Sequence, residues 1–140
     1  MNDTQLTRIY VDMVADLFHP GHVNFLKQAK SFGDELIVGI HSDQTVAAYK
    51  RQPIMTMTER MTVVRSCCYV DEVVPNAPLQ VSLAYLNNLK IDYLCHGDDI
   101  STENIEAWYG EIHQQGRLKL VPYTPDISTT NLLERIMKSA

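Results

Sequence analysis

Apolar strand runs alternate with amphipathic helical stretches along this chain, which predicts an α/β fold: one parallel sheet with helices on both faces. Three observations carry that expectation. Ile9-Tyr10-Val11 is a β-branched and aromatic run, followed from His22 by a stretch in which Val23, Leu26 and Ala29 recur at helical spacing. Glu35 to Ile40 is a nearly continuous apolar run of the kind found in central parallel strands. Strand and helix signals then keep alternating at βαβ spacing. With 140 residues, no internal repeat and no low-complexity tract, a single domain over residues 1–140 accounts for the length.

The elements follow in order. Pro20 and Gly21 sit where the first loop becomes a helix, since Pro is favoured in a first turn and Gly lets a ligand approach the backbone. Gly33 is a stop signal, and Ser42 or Asp43 caps the next helix. Tyr49 to Ile54 has no period and contains Pro53, so it is a loop, and it carries the cations Lys50 and Arg51. Thr56 with Glu59 forms a capping-box pattern opening a helix with Met61, Val64 and Cys68 inward. Tyr69 to Val74 is the third strand, closed by Pro75-Asn76-Ala77-Pro78, and Val81 to Leu89 the next helix. Ile91 to Cys95 is a strand with His96-Gly97-Asp98-Asp99 at its carboxyl end, where doubly wound sheets place ligand groups. Ser101 to Gln115 is helical and stops at Gly116, Leu118 to Val121 is the last strand, and Ser128 caps a final helix through Met137.

A net charge of −5 with basic residues spread singly argues against a nucleic-acid or membrane-surface binder. No apolar run approaches the ~20 residues of a membrane helix, and the opening Asn2-Asp3-Thr4-Gln5 has no signal pattern, so no membrane insertion and a cytoplasmic location are expected. Three cysteines without framework spacing fit a reducing compartment.

His19 and His22 flank the turn into the first helix, where free N–H groups and the helix dipole attract phosphate and imidazoles can donate to its oxygens. The run Asp16-x-x-His19-x-Gly21-His22 resembles the HxGH signature of the nucleotidyltransferase superfamily, most closely the cytidylyltransferases that make CDP-ethanolamine, CDP-choline and CDP-glycerol. Further segments match in the same order: Lys50 in a loop after the second strand, Thr56-Met57-Thr58-Glu59-Arg60 like the family's ER motif, Tyr69-Val70-Asp71-Glu72-Val73 like YVDEV, and Ile127-Ser128-Thr129-Thr130 like ISTT. Together they span nearly the whole chain.

The resemblance implies a Rossmann-like HxGH nucleotidyltransferase fold that transfers CMP from CTP to a small phosphorylated alcohol, phosphoethanolamine above all, or to a phosphonate, with release of pyrophosphate. It implies catalytic roles for His19, His22 and Lys50. It implies a nucleotide site of Val14, Ala15, Asp16, Gly21, Arg60, His96, Gly97, Asp98, Ile127, Ser128, Thr129 and Thr130, an acceptor site drawing on Asp12, Asp71 and Tyr123, Mg2+ as cofactor with no resident protein-held metal, and a homodimer packed around Tyr69 to Val73. Taken alone, several of these residues have plain structural readings. Lys50 and Arg51 would be solvated loop charges, Arg60 part of a solvated helix face, Asp98 a turn former, and Ser128 a helix cap.

Three positions depart from the family pattern. Met13 stands where a glycine is usual, Cys68 where Arg or Lys precedes the YVDEV segment, and Tyr123-Thr124-Pro125-Asp126 where an arginine precedes ISTT. Arg8, Arg65, Arg117 and Lys119 are candidates to replace the two missing cations. An ATP-using adenylyltransferase, a nucleotide-binding module with weakened catalysis, and a zinc site built on His19, His22 and a cysteine are the alternatives.

Overall fold

A computed structural model describes residues 5–140; the polar opening Asn2 to Thr4 lies outside the described residues. Five strands form one parallel sheet in the order β3-β2-β1-β4-β5. They are β1 Arg8–Met13, β2 Glu35–Ile40, β3 Glu72–Val74, β4 Tyr93–Gly97 and β5 Leu118–Val121. Helices α1 Pro20–Lys30, α2 Asp43–Tyr49, α3 Met57–Arg65, α4 Leu83–Asn88, α5 Thr102–Gln114 and α6 Thr129–Ser139 connect and follow them. The winding reverses between β1 and β4, and in such sheets the crevice at that switch point takes the ligand.

Alternation along the strands builds two cores. Ile9, Val11, Leu36, Val38 and Ile40 face Leu26 and Ala29 of α1 and Met61 and Val64 of α3. Tyr10, Ile37 and Leu94 face Leu86 of α4 and Tyr109 and Ile112 of α5. The sheet is therefore buried on both sides, which is why β2 is apolar without alternation.

Several boundaries differ from the sequence expectation for local reasons. Helix α3 ends at Arg65 with Ser66 as its cap, so Cys68 falls on the following turn and is exposed rather than inward. That turn, closed by Val70 N–H donating to the Cys67 carbonyl, consumes the residues expected to begin β3, which is reduced to Glu72–Val74. Helix α4 starts one residue after its cap Ser82. Strand β4 runs two residues further than expected and takes in His96 and Gly97. Gly33 has no positive φ and lies beyond the cap Ser31; a Cβ there would stand 2.7 Å from the Thr7 carbonyl oxygen, so it serves close approach to the chain entering β1. Gly116, at φ +69°, ends α5 as expected. No helix among the described residues is long and apolar enough to cross a membrane.

Candidate functional site

A cleft of about 780 Å³ opens at the carboxyl ends of β1 and β4. Its walls come from the loop after β1, the start of α1, His41 after β2, the Tyr49–Arg51 loop, His96 and Gly97 of β4, the inner face of α5, and the turn into α6.

The two histidines at the start of α1 cap the helix and each other. His19 is the N-cap, and its Nδ1 accepts from Gly21 N–H at 3.0 Å; His22 Nδ1 accepts from His19 N–H at 3.1 Å. With both Nδ1 atoms accepting from backbone, the neutral rings carry their protons on Nε2. The rings lie 3.8 Å apart between centroids, and Phe18 stacks on His22. Burial lowers the pKa of both. His22 drops to about 3, through desolvation first and then the neighbouring His19 and Lys50, against a small opposing pull from Asp16. At neutral pH the pair therefore offers two uncharged Nε2–H donors. Gly21 makes this packing possible, since a Cβ there would come within 2.8 Å of His19 Cε1.

The loop after β1 is held from behind. Ala15 and Leu17 adopt left-handed φ of 58° and 49°, a strain that persists only where neighbours over-determine the backbone. Those neighbours are Asp16 and Arg60. The buried Asp16 carboxylate accepts from Ile54 N–H at 2.8 Å and Met55 N–H at 3.0 Å, and pairs with Arg51 at 3.3 Å. Arg60, fully buried, donates to the Val14 carbonyl at 2.7 Å, the Met55 carbonyl at 3.1 Å and Asp43 at 2.6 Å. The two side chains clamp the β1 loop to the Lys50 loop. Lys50, beside Arg51, has a lowered pKa through desolvation and then the Arg51 charge, with Asp99 opposing. Across the cleft Thr129 Oγ1 donates to the Asp16 carbonyl at 2.9 Å, which brings the N-terminus of α6 to the same loop.

The opposite wall is acidic and aromatic. The Asp12 carboxylate is buried and accepts from Tyr109 Oη, at 2.8 Å to Oδ1 and 3.1 Å to Oδ2. Tyr109 reaches it where α5 kinks, with φ −135° and ψ 23°, and the adjacent Trp108 carbonyl accepts from Val81 N–H. Trp108 meets Tyr49 and Tyr109 edge-on. Burial and the nearby Asp12 push the Tyr49 hydroxyl up to about 12, and Tyr109 is raised by the same two causes, so both stay protonated.

Most residues singled out from sequence converge here. Asp12, Val14, Ala15, Asp16, His19, Gly21, His22, Lys50, His96, Gly97, Tyr123, Ile127, Ser128, Thr129 and Thr130 all line the cleft. Three do not. Arg60 stands behind the loop with its guanidinium committed to two carbonyls and a carboxylate, where it holds the backbone around the cleft. Asp71 sits at the amino end of the sheet, bonded to Leu36 N–H and Lys30, remote from the strands' carboxyl ends. Asp98 turns away to accept Tyr123 N–H, and its neighbour Asp99 lines the cleft instead.

The proposed substitute cations are engaged elsewhere. Arg8 pairs with Glu35 and Glu72, Arg117 holds carbonyls at the amino end of β4, and Lys119 lies over Tyr93 and Phe32. Arg65 does not line the cleft either. No cluster of three His, Cys, Asp or Glu side chains able to hold a metal occurs among the described residues, which leaves the zinc alternative without a ligand set. Sequence reasoning passed over His41, Tyr49, Trp108 and Tyr109. His41 was accessible to it, because it directly follows the carboxyl end of β2.

The cytidylyltransferase-like family pattern matches residues 13–135. The chain belongs to that family. This cytidylyltransferase-like chain is 40% identical over 131 residues to the ethanolamine-phosphate cytidylyltransferase of Dictyostelium discoideum, covering 93% of this chain and 36% of that protein. It is 39% identical to the Mus musculus ethanolamine-phosphate enzyme, covering 96% and 34%, and 38% identical to human choline-phosphate cytidylyltransferase A, covering 94% and 36%. The chain thus spans about a third of the length of these relatives. Among solved structures, a lipopolysaccharide core biosynthesis protein from Thermoplasma volcanium superposes with TM-score 0.71 at 24% identity, covering 88% of this chain and 100% of that one. Pantothenate synthetase from Thermus thermophilus superposes with TM-score 0.61 at 12% identity, covering 96% and 64%. These two likenesses speak to the fold, and they agree with the parallel Rossmann-like sheet.

Proposed function

We propose that this chain transfers CMP from CTP to a small acceptor with phosphate at one end and a cationic amine at the other, phosphoethanolamine first, releasing pyrophosphate. The observation that carries this reading is the two-ended cleft. One end has a neutral imidazole pair at a helix N-terminus, and the other a buried carboxylate walled by Tyr49, Trp108 and Tyr109. Acceptors of the ethanolamine and choline type named for the relatives suit such a cleft, because an ammonium is attracted both by carboxylate and by aromatic faces.

In this reaction an acceptor phosphate oxygen attacks the α-phosphorus of CTP, and the bond from that phosphorus to the oxygen bridging to the β-phosphate breaks. Pyrophosphate leaves with that oxygen's electron pair, and no protein nucleophile takes part. Such chemistry rests on positioning and on donors aimed where charge develops. The Nε2–H groups of His19 and His22 are those donors. Lys50 and Arg51 supply positive charge, and the N-terminus of the 11-residue α6 adds free N–H groups and its dipole. Among the lining carboxylates Asp12 and Asp16 are hydrogen-bonded within the protein, which leaves Asp99 as a ligand for Mg2+ arriving on the triphosphate. When bound, the ion neutralises phosphate charge.

A homodimer belongs to the same proposal. The half-exposed hollow formed by Phe18, Pro20, Val23 and Tyr69 lies beside the helix that carries the histidines, and its apolar surface supports pairing of two copies; sedimentation velocity measures it. Three unpaired cysteines support a reducing, cytoplasmic setting.

The test of the reaction is pyrophosphate release with CTP and ATP in turn, each paired with phosphoethanolamine, phosphocholine, glycerol 3-phosphate, and hydroxyethyl- and aminoethylphosphonate. Turnover with CTP and an amine-bearing acceptor is expected. ATP preference would instead make the chain an adenylyltransferase, and CTP binding with silence across the panel a binding module.

A further inference from the structure

On the acidic wall one polar atom has no partner. His41 is 3% exposed and lines the cleft, and its Nε2 is buried without a hydrogen bond. The other ring nitrogen, Nδ1, lies 3.1 Å from the Tyr49 hydroxyl. Nε2 stands 4.0 Å from Asp12 Oδ2, too far for a hydrogen bond between them. A buried polar atom left unpaired costs free energy, and such atoms ask for a missing partner.

The 4.0 Å gap has a chemical meaning. By distance alone, a single nitrogen donor entering between them would lie about 2.9 Å from both Oδ2 and Nε2, an ordinary hydrogen-bond length to each. It must carry two N–H groups, one aimed at each acceptor. A primary ammonium does so and a quaternary one cannot, since its methyl groups hold the nitrogen away from both atoms. Asp12 attracts any cation by charge, and the aromatic wall does the same through its faces. Neither distinguishes the number of N–H groups as the second acceptor does.

Resting on the reading of the cleft as an acceptor site, we propose that His41 is the residue that selects primary over fully alkylated amines, its Nε2 accepting an N–H of the acceptor's ammonium while Asp12 accepts another. In the tautomer this requires, Nδ1–H donates to the Tyr49 oxygen, and Tyr49 orients the ring. The imidazole nitrogens face the Tyr49 hydroxyl and the Asp12 carboxylate, and that carboxylate is in turn held by Tyr109.

The experiment measures kcat/KM with CTP for phosphoethanolamine and its N-methyl, N,N-dimethyl and N,N,N-trimethyl forms. The monomethyl amine keeps two N–H groups and the dimethyl amine one, so the wild type drops by about tenfold at the second methyl, one hydrogen bond to a buried acceptor. His41→Asn places its amide near the Nδ1 position, keeping a partner for Tyr49 and removing the group at Nε2. It flattens that drop. His41→Gln carries an acceptor near the Nε2 position and restores it. The affinity for CTP, measured by calorimetry, reports whether each variant is folded. Equal losses across the series in His41→Asn, or a drop that Gln does not restore, overturn the proposal and leave His41 a structural residue. Should His41→Asn not fold, the wild-type series decides alone: a flat series overturns the role of Nε2. A wild type that turns over none of the four with CTP overturns the acceptor-site reading itself, and the inference with it.

Discussion

Gly21→Ala separates the structural and chemical jobs of the histidine pair. The added methyl lies 2.8 Å from His19 Cε1, 3.0 Å from Nδ1 and 3.5 Å from Ile127 Cγ2. The first distance is shorter than a Cβ tolerates and the second is tight, so the His19 ring must move by several tenths of an ångström. Moving it stretches the 3.0 Å bond from Gly21 N–H and loosens the reciprocal cap, an N-cap loss of about 1 kcal/mol. Alanine in place of glycine within a helix returns up to about 1 kcal/mol. The two nearly cancel, so the melting temperature changes by only a few degrees. Turnover has no such offset: displacing a donor by about 1 Å costs on the order of 100-fold, so a shift of several tenths of an ångström should cost roughly tenfold. The assay pairs a thermal melt by circular dichroism with pyrophosphate release from CTP. A variant with wild-type turnover would show that His19 needs no fixed position, and a variant that melts far lower would show that the contact is mainly structural.

Three further outcomes follow from the same geometry. Because the pKa of His22 lies at about 3 in the folded protein against 6.5 when free, the unfolded chain binds more protons between those values. Stability is then full above pH 6.5 and falls on acidification by up to about 1.4 kcal/mol per pH unit; His22→Asn, which keeps an acceptor for His19 N–H, should reduce the slope of urea midpoint against pH, and an unchanged slope refutes the assignment. Asp12→Asn preserves an acceptor for Tyr109 but removes the charge, so kcat/KM for phosphoethanolamine should fall roughly 10- to 150-fold while CTP affinity holds, measured by steady-state kinetics and calorimetry. Arg60→Met leaves Asp43 and two carbonyls without their buried donor and should lower unfolding free energy by about 3–5 kcal/mol in a urea titration; full stability with a raised KM for CTP would return Arg60 to direct contact.

The strand and helix order was legible because the apolar residues of the central strands face one of two cores, and each major helix opens on a side chain whose oxygen or nitrogen caps it. Thr56 with Glu59, and Ser42, Ser82, Ser101 and Ser128, all cap as their residue types imply. The histidine pair was legible as a motif, whereas its tautomer was not, since that depends on two backbone N–H groups set by the helix start. For Arg60 the sequence offered a nucleotide contact or a solvated helix face, because neither motif nor helical period reveals that the loops at residues 14 and 55 close over it. Of the acidic and aromatic wall only Asp12 was singled out, for a related reason. Asp12, His41, Tyr49, Trp108 and Tyr109 come from four separate elements, and only the kink at Tyr109 turns the last onto the first.

The most direct test of cytidylyl transfer through neutral imidazoles compares wild type and His22→Ala in pyrophosphate release from CTP, with Mg2+ and phosphoethanolamine at neutral pH. Loss of one preorganised donor to the developing phosphate charge predicts a fall in kcat of about 10²–10³-fold, roughly 2.7–4 kcal/mol, with the thermal melt nearly unchanged. A wild type that releases no pyrophosphate, or a His22→Ala variant that keeps its rate, would contradict it.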